Sequence, residues 1–126
     1  MPLSIRAQQM RAFETAALAG WIEAHIREFF PEHCQALGPA GLARVVEQGI
    51  AKAARLGFTD ARHCCQFVKL TIMFGEDFER TEPWAIEALG ASEALAGTSG
   101  KQAELRIGHL FEAGMEQLRS LAQESQ

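Results

Sequence analysis

No stretch of this sequence reaches the run of about 18 apolar residues that a membrane-spanning helix needs, so no transmembrane helix is expected. The N-terminal residues MPLSIRAQQMRAF lack an apolar run of signal-peptide length and carry Arg6 and Arg11 inside a helical pattern. Lysine and arginine never gather beyond isolated pairs, and the formal net charge is −4 with a pI near 5.5. That balance argues against nucleic-acid binding, whose affinity comes largely from basic groups on phosphates. Cysteine is scarce: there are three, and none is spaced as Cys-x-x-Cys. No segment alternates apolar and polar residues as a strand would, and no internal repeat of about 20–50 residues appears. The expectation is a reduced, cytoplasmic, all-α protein without a disulfide framework.

What is present suits one small domain. A chain of 126 residues, 48% apolar and 22% charged, can bury a core without metal or disulfides. The chain is organised around GFTDARHCCQFVKLTIMFGEDF, residues 57–78. Gly57 stops one helix, and Thr59 with Asp60 behind it reads as the N-cap of the next. Ala61, Cys64, Cys65, Val68 and Ile72 share one face; Phe67, Leu70 and Phe74 share its neighbour. Only Arg62, Gln66 and Lys69 form a polar stripe. A helix apolar on most sides, yet too short for a bilayer, is the central helix of a small bundle. We therefore expect a compact bundle of about four to five helices around residues 59–74.

The flanking segments follow from their punctuation. Ser4 caps a first helix running to about residue 30. Met10, Phe13, Ala17 and Trp21 line one face of it; Leu18, Ile22, Ile26 and Phe29 line another. The stripe drifts through Gly20, where the helix bends or meets a close neighbour. Pro31 interrupts it, opens the short turn PEHCQAL, and is followed by the stop Gly38-Pro39. A second helix covers about residues 39–56, with Gly49, Ala53 and Ala54 in its seam and Arg44, Glu47, Lys52 and Arg55 facing water. Gly75 ends the central helix. Pro83 to Leu89 make a short helix stopped by Gly90, residues 93–100 form a flexible loop, and residues 122–126 fray. The last helix, from about residue 100, carries Ile107, Leu110, Phe111, Gly114, Met115, Leu118 and Leu121 on one stripe, with Arg106 on the other side. That stripe suits the core or a second copy of the chain.

The residues that bear chemistry have plain readings. His33-Cys34 and His63-Cys64-Cys65 tempt toward metal, but adjacent Cys64 and Cys65 diverge by about 100° on a helix, so core thiols are expected and no metal or cofactor. A cysteine nucleophile needs a base within reach, and His25 or His109 would have to approach in space. No catalytic motif is present, so no enzyme activity is expected. Glu76, Asp77, Glu79 and Glu82 lack the ligand spacing of a calcium loop. They lie just after a helix C-terminus, where the dipole disfavours acids, which hints at a cap through Glu82 or a pairing with arginine on a partner. Phe29, Phe30, Phe78 and Trp84 flank helix ends, as core residues or as interface anchors.

Taken together, Arg27-Glu28-Phe29-Phe30-Pro31, the segment from Gly49-Ile50 to Gly57, Phe74-Gly75-Glu76-Asp77-Phe78 and Pro83-Trp84-Ala85 resemble a family of small helical proteins. That family accompanies bacterial type VI secretion effectors and their adaptor chaperones. The resemblance spans roughly residues 20–90. It implies a noncatalytic, cytoplasmic co-chaperone that binds an adaptor chaperone or a secreted effector. The contacts expected for such a partner are Asp77, Phe78, Arg80 and Trp84, where acids and aromatics mix. The alternatives are an immunity protein neutralising a secreted toxin, and a small-ligand or metal sensor built in a bundle core.

Overall fold

A computed structural model of the chain describes residues 2–93 and 100–124, with side chains placed for 16–90 and 103–124. The described residues form six helices and no strand: α1 (Pro2–Phe29), α2 (Pro31–Arg55), α3 (Ala61–Phe74), α4 (Phe78–Thr81), α5 (Pro83–Glu93) and α6 (Gly100–Glu124). The all-α expectation holds. The chain falls into two compact units, Met1–Gln48 and Gly49–Gln126.

In the first unit α1 is already helical at Pro2, so Ser4 lies inside it rather than capping it. Ile22 and Ile26 are fully buried, as their face requires. On the other apolar face Ala17 and Trp21 are exposed, and the side chains of Met10 and Phe13 lie outside the described residues. Gly20 is also exposed, and a Cβ added there meets nothing within 4 Å among the described residues, so close packing does not explain it. An exposed mid-helix glycine carries only its entropic cost. Gly20→Ala should therefore stabilise the chain by about 0.5–1 kcal/mol, read as a higher urea midpoint at unchanged slope.

Helix α2 is two helices joined at Gly38, whose φ of 73° and ψ of 167° lie in a region open essentially to glycine alone. The expected break at Gly38-Pro39 is there. Past it Leu42, Val45, Val46 and Ala53 are buried.

The second unit begins at Gly49. A Cβ there would sit 2.7 Å from Val68 Cγ2 of α3. The glycine thus admits α3 against the seam of α2, as its small residues suggested, although Ala54 is exposed. The end of α2 is a Schellman turn: Phe58 N–H donates to Ala53 O at 2.8 Å and Gly57 N–H to Ala54 O at 3.0 Å, with Gly57 at φ 93°. That turn folds Phe58 inward, where it is fully buried. The N-cap of α3 is Asp60 and not Thr59; its carboxylate accepts from Arg62 N–H at 2.9 Å. A carboxylate at this place satisfies an unpaired donor and complements the dipole, which a threonine one residue earlier cannot do.

Helix α3 buries His63, Cys64, Cys65, Phe67, Val68, Leu70 and Thr71, while Ala61 at its start is exposed. Gly75 ends it, its N–H donating to Thr71 O at 2.8 Å. Helix α6 packs against both α3 and α5. At that crossing a Cβ on Gly114 would lie 2.8 Å from Leu70 Cδ2, 3.2 Å from Trp84 Cη2 and 3.3 Å from Phe74 Cε2. Gly114→Ala should destabilise by about 1–3 kcal/mol through overpacking, the opposite sign to Gly20→Ala, and chemical denaturation of the pair tests that contrast. Gly90 does not stop α5, which runs on to Glu93. Its φ is not positive, and a glycine that keeps a helical φ terminates nothing. Of the loop expected at 93–100, Glu93 and Gly100 are helical instead, and residues 94–99 lie outside the described residues. The tail is helical to Glu124.

Candidate functional site

The segment singled out in the sequence, Asp77 to Trp84, folds as the four-residue helix α4 and the start of α5. Its two aromatics point into the second unit. Phe78 is fully buried, with its ring centroid 5.2 Å from Phe67 and 5.9 Å from Trp84. Trp84 lies 4.7 Å from Phe74, and Phe67 lies 6.5 Å from Phe58. These five rings form one continuous row, in the offset and tilted arrangements that ring quadrupoles favour. Phe78 is thus closed to a partner in this conformation. Trp84 is half-buried, and its Nε1 is enclosed without a hydrogen-bond partner. Asp77 and Arg80 do lie on the surface, joined by an Arg80 Nη2–Asp77 Oδ1 bond of 2.8 Å.

The acids of this segment meet a cation that the sequence placed in water. Lys52, near the end of α2, is largely covered and donates to Asp77 Oδ1 at 3.0 Å and to the backbone carbonyl of Glu76. It also pairs with Glu79 Oε1 at 3.2 Å. Glu79 has only 9% of its side chain exposed, and its Oε2 has no hydrogen-bond partner. Asp77 is held below the usual carboxylate value, first by the Arg80 bond and then by Lys52. For Lys52 burial acts to lower the pKa, but the bonds to Asp77 and Glu79 outweigh it and the net direction is up. For Asp77 and Glu79 the unfavourable siting of acids after a helix end is thereby answered inside the chain by Lys52 and Arg80. The hinted role of Glu82 is carried by its backbone, whose carbonyl accepts from the N–H groups of Ala85 and Ile86 at 3.0 Å each.

Behind this segment, Arg106 of α6 is buried. It donates through Nη1 to Leu56 O at 2.8 Å and lies 5.1 Å from the Phe58 ring centroid. A cation here satisfies a terminal carbonyl of α2 and complements its dipole, while the ring face supplies a cation–π contact. The sequence pattern put Arg106 on the solvent side; its job depends on a carbonyl 50 residues earlier, which periodicity cannot show.

Cys64 and Cys65 are buried and unpaired. Cys64 Sγ donates to Phe58 O at 3.3 Å. Burial, and then the nearby charges of Asp60 and Cys65, pushes its pKa up to about 11. Burial likewise raises Cys65. A thiol reacts as its thiolate, so neither is poised as a nucleophile at neutral pH. Cys34 is half-exposed and lines a cavity of about 360 Å³ with Arg27, Pro31, Gln35, Gly38, Pro39 and Leu42. A thiol-alkylating reagent at pH 7 should therefore label Cys34 at least tenfold faster than the α3 pair, with mass spectrometry of the digest locating the adduct. His63, beside Cys64, is buried with Nδ1 unpartnered, and His109 is exposed. Among the described residues no group of three or more His, Cys, Asp or Glu side chains could hold a metal ion, and no helix is long and apolar enough to cross a membrane.

A second surface feature, of which the sequence pattern named only Phe29 as a candidate interface anchor, is on α1. Trp21 is 48% exposed and Phe29 59% exposed, with His25 between them at ring distances of 6.0 Å and 4.6 Å. Their spacing of four residues sets all three on one side of the helix. Comparison with known protein families, curated proteins and solved structures finds no match to the chain.

Proposed function

We propose that the chain is a noncatalytic protein-binding factor and that the aromatic row of α1 is its binding face. The observation that carries this reading is the exposure of Trp21 and Phe29 along one side of a helix. Large aromatics left in water are costly, and they are the residues that dominate binding energy once a partner covers them. In the unit 49–126, by contrast, the Phe78 ring is fully buried and the α3 thiols are sealed. On the resemblance of residues 20–90, the partner is an adaptor chaperone or secreted effector of a bacterial type VI system, with the chain acting as co-chaperone. Phe29 belongs both to this row and to the Arg27–Pro31 segment that carries part of the resemblance. An immunity role has less behind it, because two of the four acids that would steer a basic toxin, Asp77 and Glu79, are already paired with Lys52 and Arg80.

The test is co-expression of the tagged chain with an adaptor chaperone and effector of such a system, followed by affinity capture. Recovery of either in stable amount, lost in W21S and F29S variants whose thermal melts match wild type, is the expected result. Equal recovery by the variants moves the binding face elsewhere. Rescue of cells from an isolated toxin domain would replace the co-chaperone reading with immunity.

A further inference from the structure

In the second unit a cavity of about 340 Å³ is lined by Lys52, Arg55, Leu56, Glu79, Arg80 and Leu89. Its size falls at the lower end of the roughly 300–1,000 Å³ of small-molecule sites. The charges around it do not close on themselves. Lys52 is engaged by Asp77, Glu79 and the Glu76 carbonyl, and Arg80 by Asp77. The exposed Arg55 side chain has no hydrogen-bond or ion-pair partner among the described residues. Glu79, nine-tenths buried, has an Oε2 with no hydrogen-bond partner. The exposed Arg55 and the largely buried Glu79 thus line the same cavity, with two leucines beside them.

A ligand that answers both carries a carboxylate and an N–H donor on one small body, with an apolar group attached. We infer that this cavity binds an apolar α-amino acid unit with a free carboxylate, either as the free amino acid or as the last residue of a peptide chain. Its carboxylate meets Arg55, whose planar fork matches that geometry. Its ammonium or amide N–H donates to Glu79 Oε2, and its side chain lies against Leu56 and Leu89. The terminal torsion of a glutamate is soft, so the Glu79 carboxylate turns toward the incoming donor at little cost. This site does not draw on α1 and does not rest on the binding role proposed above.

The experiment is isothermal titration calorimetry of the full chain with three probes: L-leucine, an acetylated hexapeptide ending in leucine with a free carboxylate, and the same peptide amidated. Saturable binding of leucine or of the free-carboxylate peptide is expected, and which of them binds names the source. R55Q and E79Q should each weaken it at least tenfold. Arg55 is exposed, so R55Q keeps the fold and decides the matter alone if the melt of E79Q shifts. Absence of saturable binding by both free-carboxylate probes, equal binding of the amidated peptide, or affinity unchanged in R55Q overturns the inference.

Discussion

Replacing Phe78 with alanine should destabilise the chain by about 3–5 kcal/mol, the range for emptying a fully buried aromatic site. The ring is closed to solvent and stacks between Phe67 and Trp84. Its loss opens a cavity and severs the row of rings in the middle. Neighbours on α3 are held by that helix's own backbone bonds, so they relax only partly into the space. Phe78→Leu keeps most of the volume and should cost much less, about 1–2 kcal/mol. Urea denaturation of both variants separates the cavity from the loss of ring contacts. An alanine cost below about 1 kcal/mol would place the Phe78 ring outside the core. The same reasoning governs any binding assay on this segment. Alanine at Phe78 perturbs the fold, so only Asp77 and Arg80 can report on a partner there without that confusion.

Replacing Lys52 with methionine should cost about 2–3 kcal/mol, somewhat under the roughly 3–5 kcal/mol of breaking a fully buried ion pair. The methylene stem still packs, but Glu79 keeps a carboxylate that is nine-tenths buried and has lost its cation. Adding Glu79→Gln to that background should recover part of the loss, since the uncompensated charge is then gone. The pH dependence has a definite sign. Asp77 is lowered in the folded chain, so its contribution is present above the unfolded value of about 3.9 and disappears as pH falls through the folded one. Lys52 is raised, so its contribution is present below the unfolded value of about 10.4 and disappears as pH rises through the folded one. Methionine at 52 removes the second effect and part of the first. Stability of the variant, measured from pH 2 to 11, should therefore vary less with pH at both ends than that of wild type.

The helix boundaries were legible where the backbone needs a conformation that few residues adopt. Gly38, Gly57 and Gly75 have positive φ, and each stands where a stop was read. Gly90 was misread because a glycine in sequence looks the same whether it ends a helix or continues it. The cap of α3 moved from Thr59 to Asp60 because both residue types cap, and only geometry selects between neighbours. The buried face of α3 was legible because nearly all its apolar residues had to go inside.

Charged residues were the harder part. Lys52 and Arg106 read as solvent-facing because polarity sets the pattern, yet both have stems long enough to bury while their heads reach a distant group. What they reach, the α4 acids and the Leu56 carbonyl, comes from other helices and leaves no periodic trace. The expected contact set was split for a similar reason. Asp77 and Arg80 are on the surface, whereas Phe78, the one buried residue of the four-residue helix, and Trp84, at the start of α5, turn inward. On α1 the aromatics at 21 and 29 were read by hydrophobicity, and hydrophobicity alone does not say which of two apolar faces finds a neighbour.

The bond from Arg106 to Leu56 also sets an order on synthesis. A chain leaving the ribosome offers its early residues to folding first. The glycine seam at Gly49 and the turn at Gly57 can take shape while the last helix is still unmade. The carbonyl of Leu56 must then stay in water, and the Phe58 ring must stay uncovered on one face, until residue 106 emerges 50 positions later. A nascent chain stalled before that point should hold a helix pair with an open end, and completion of α6 is the event that seals it.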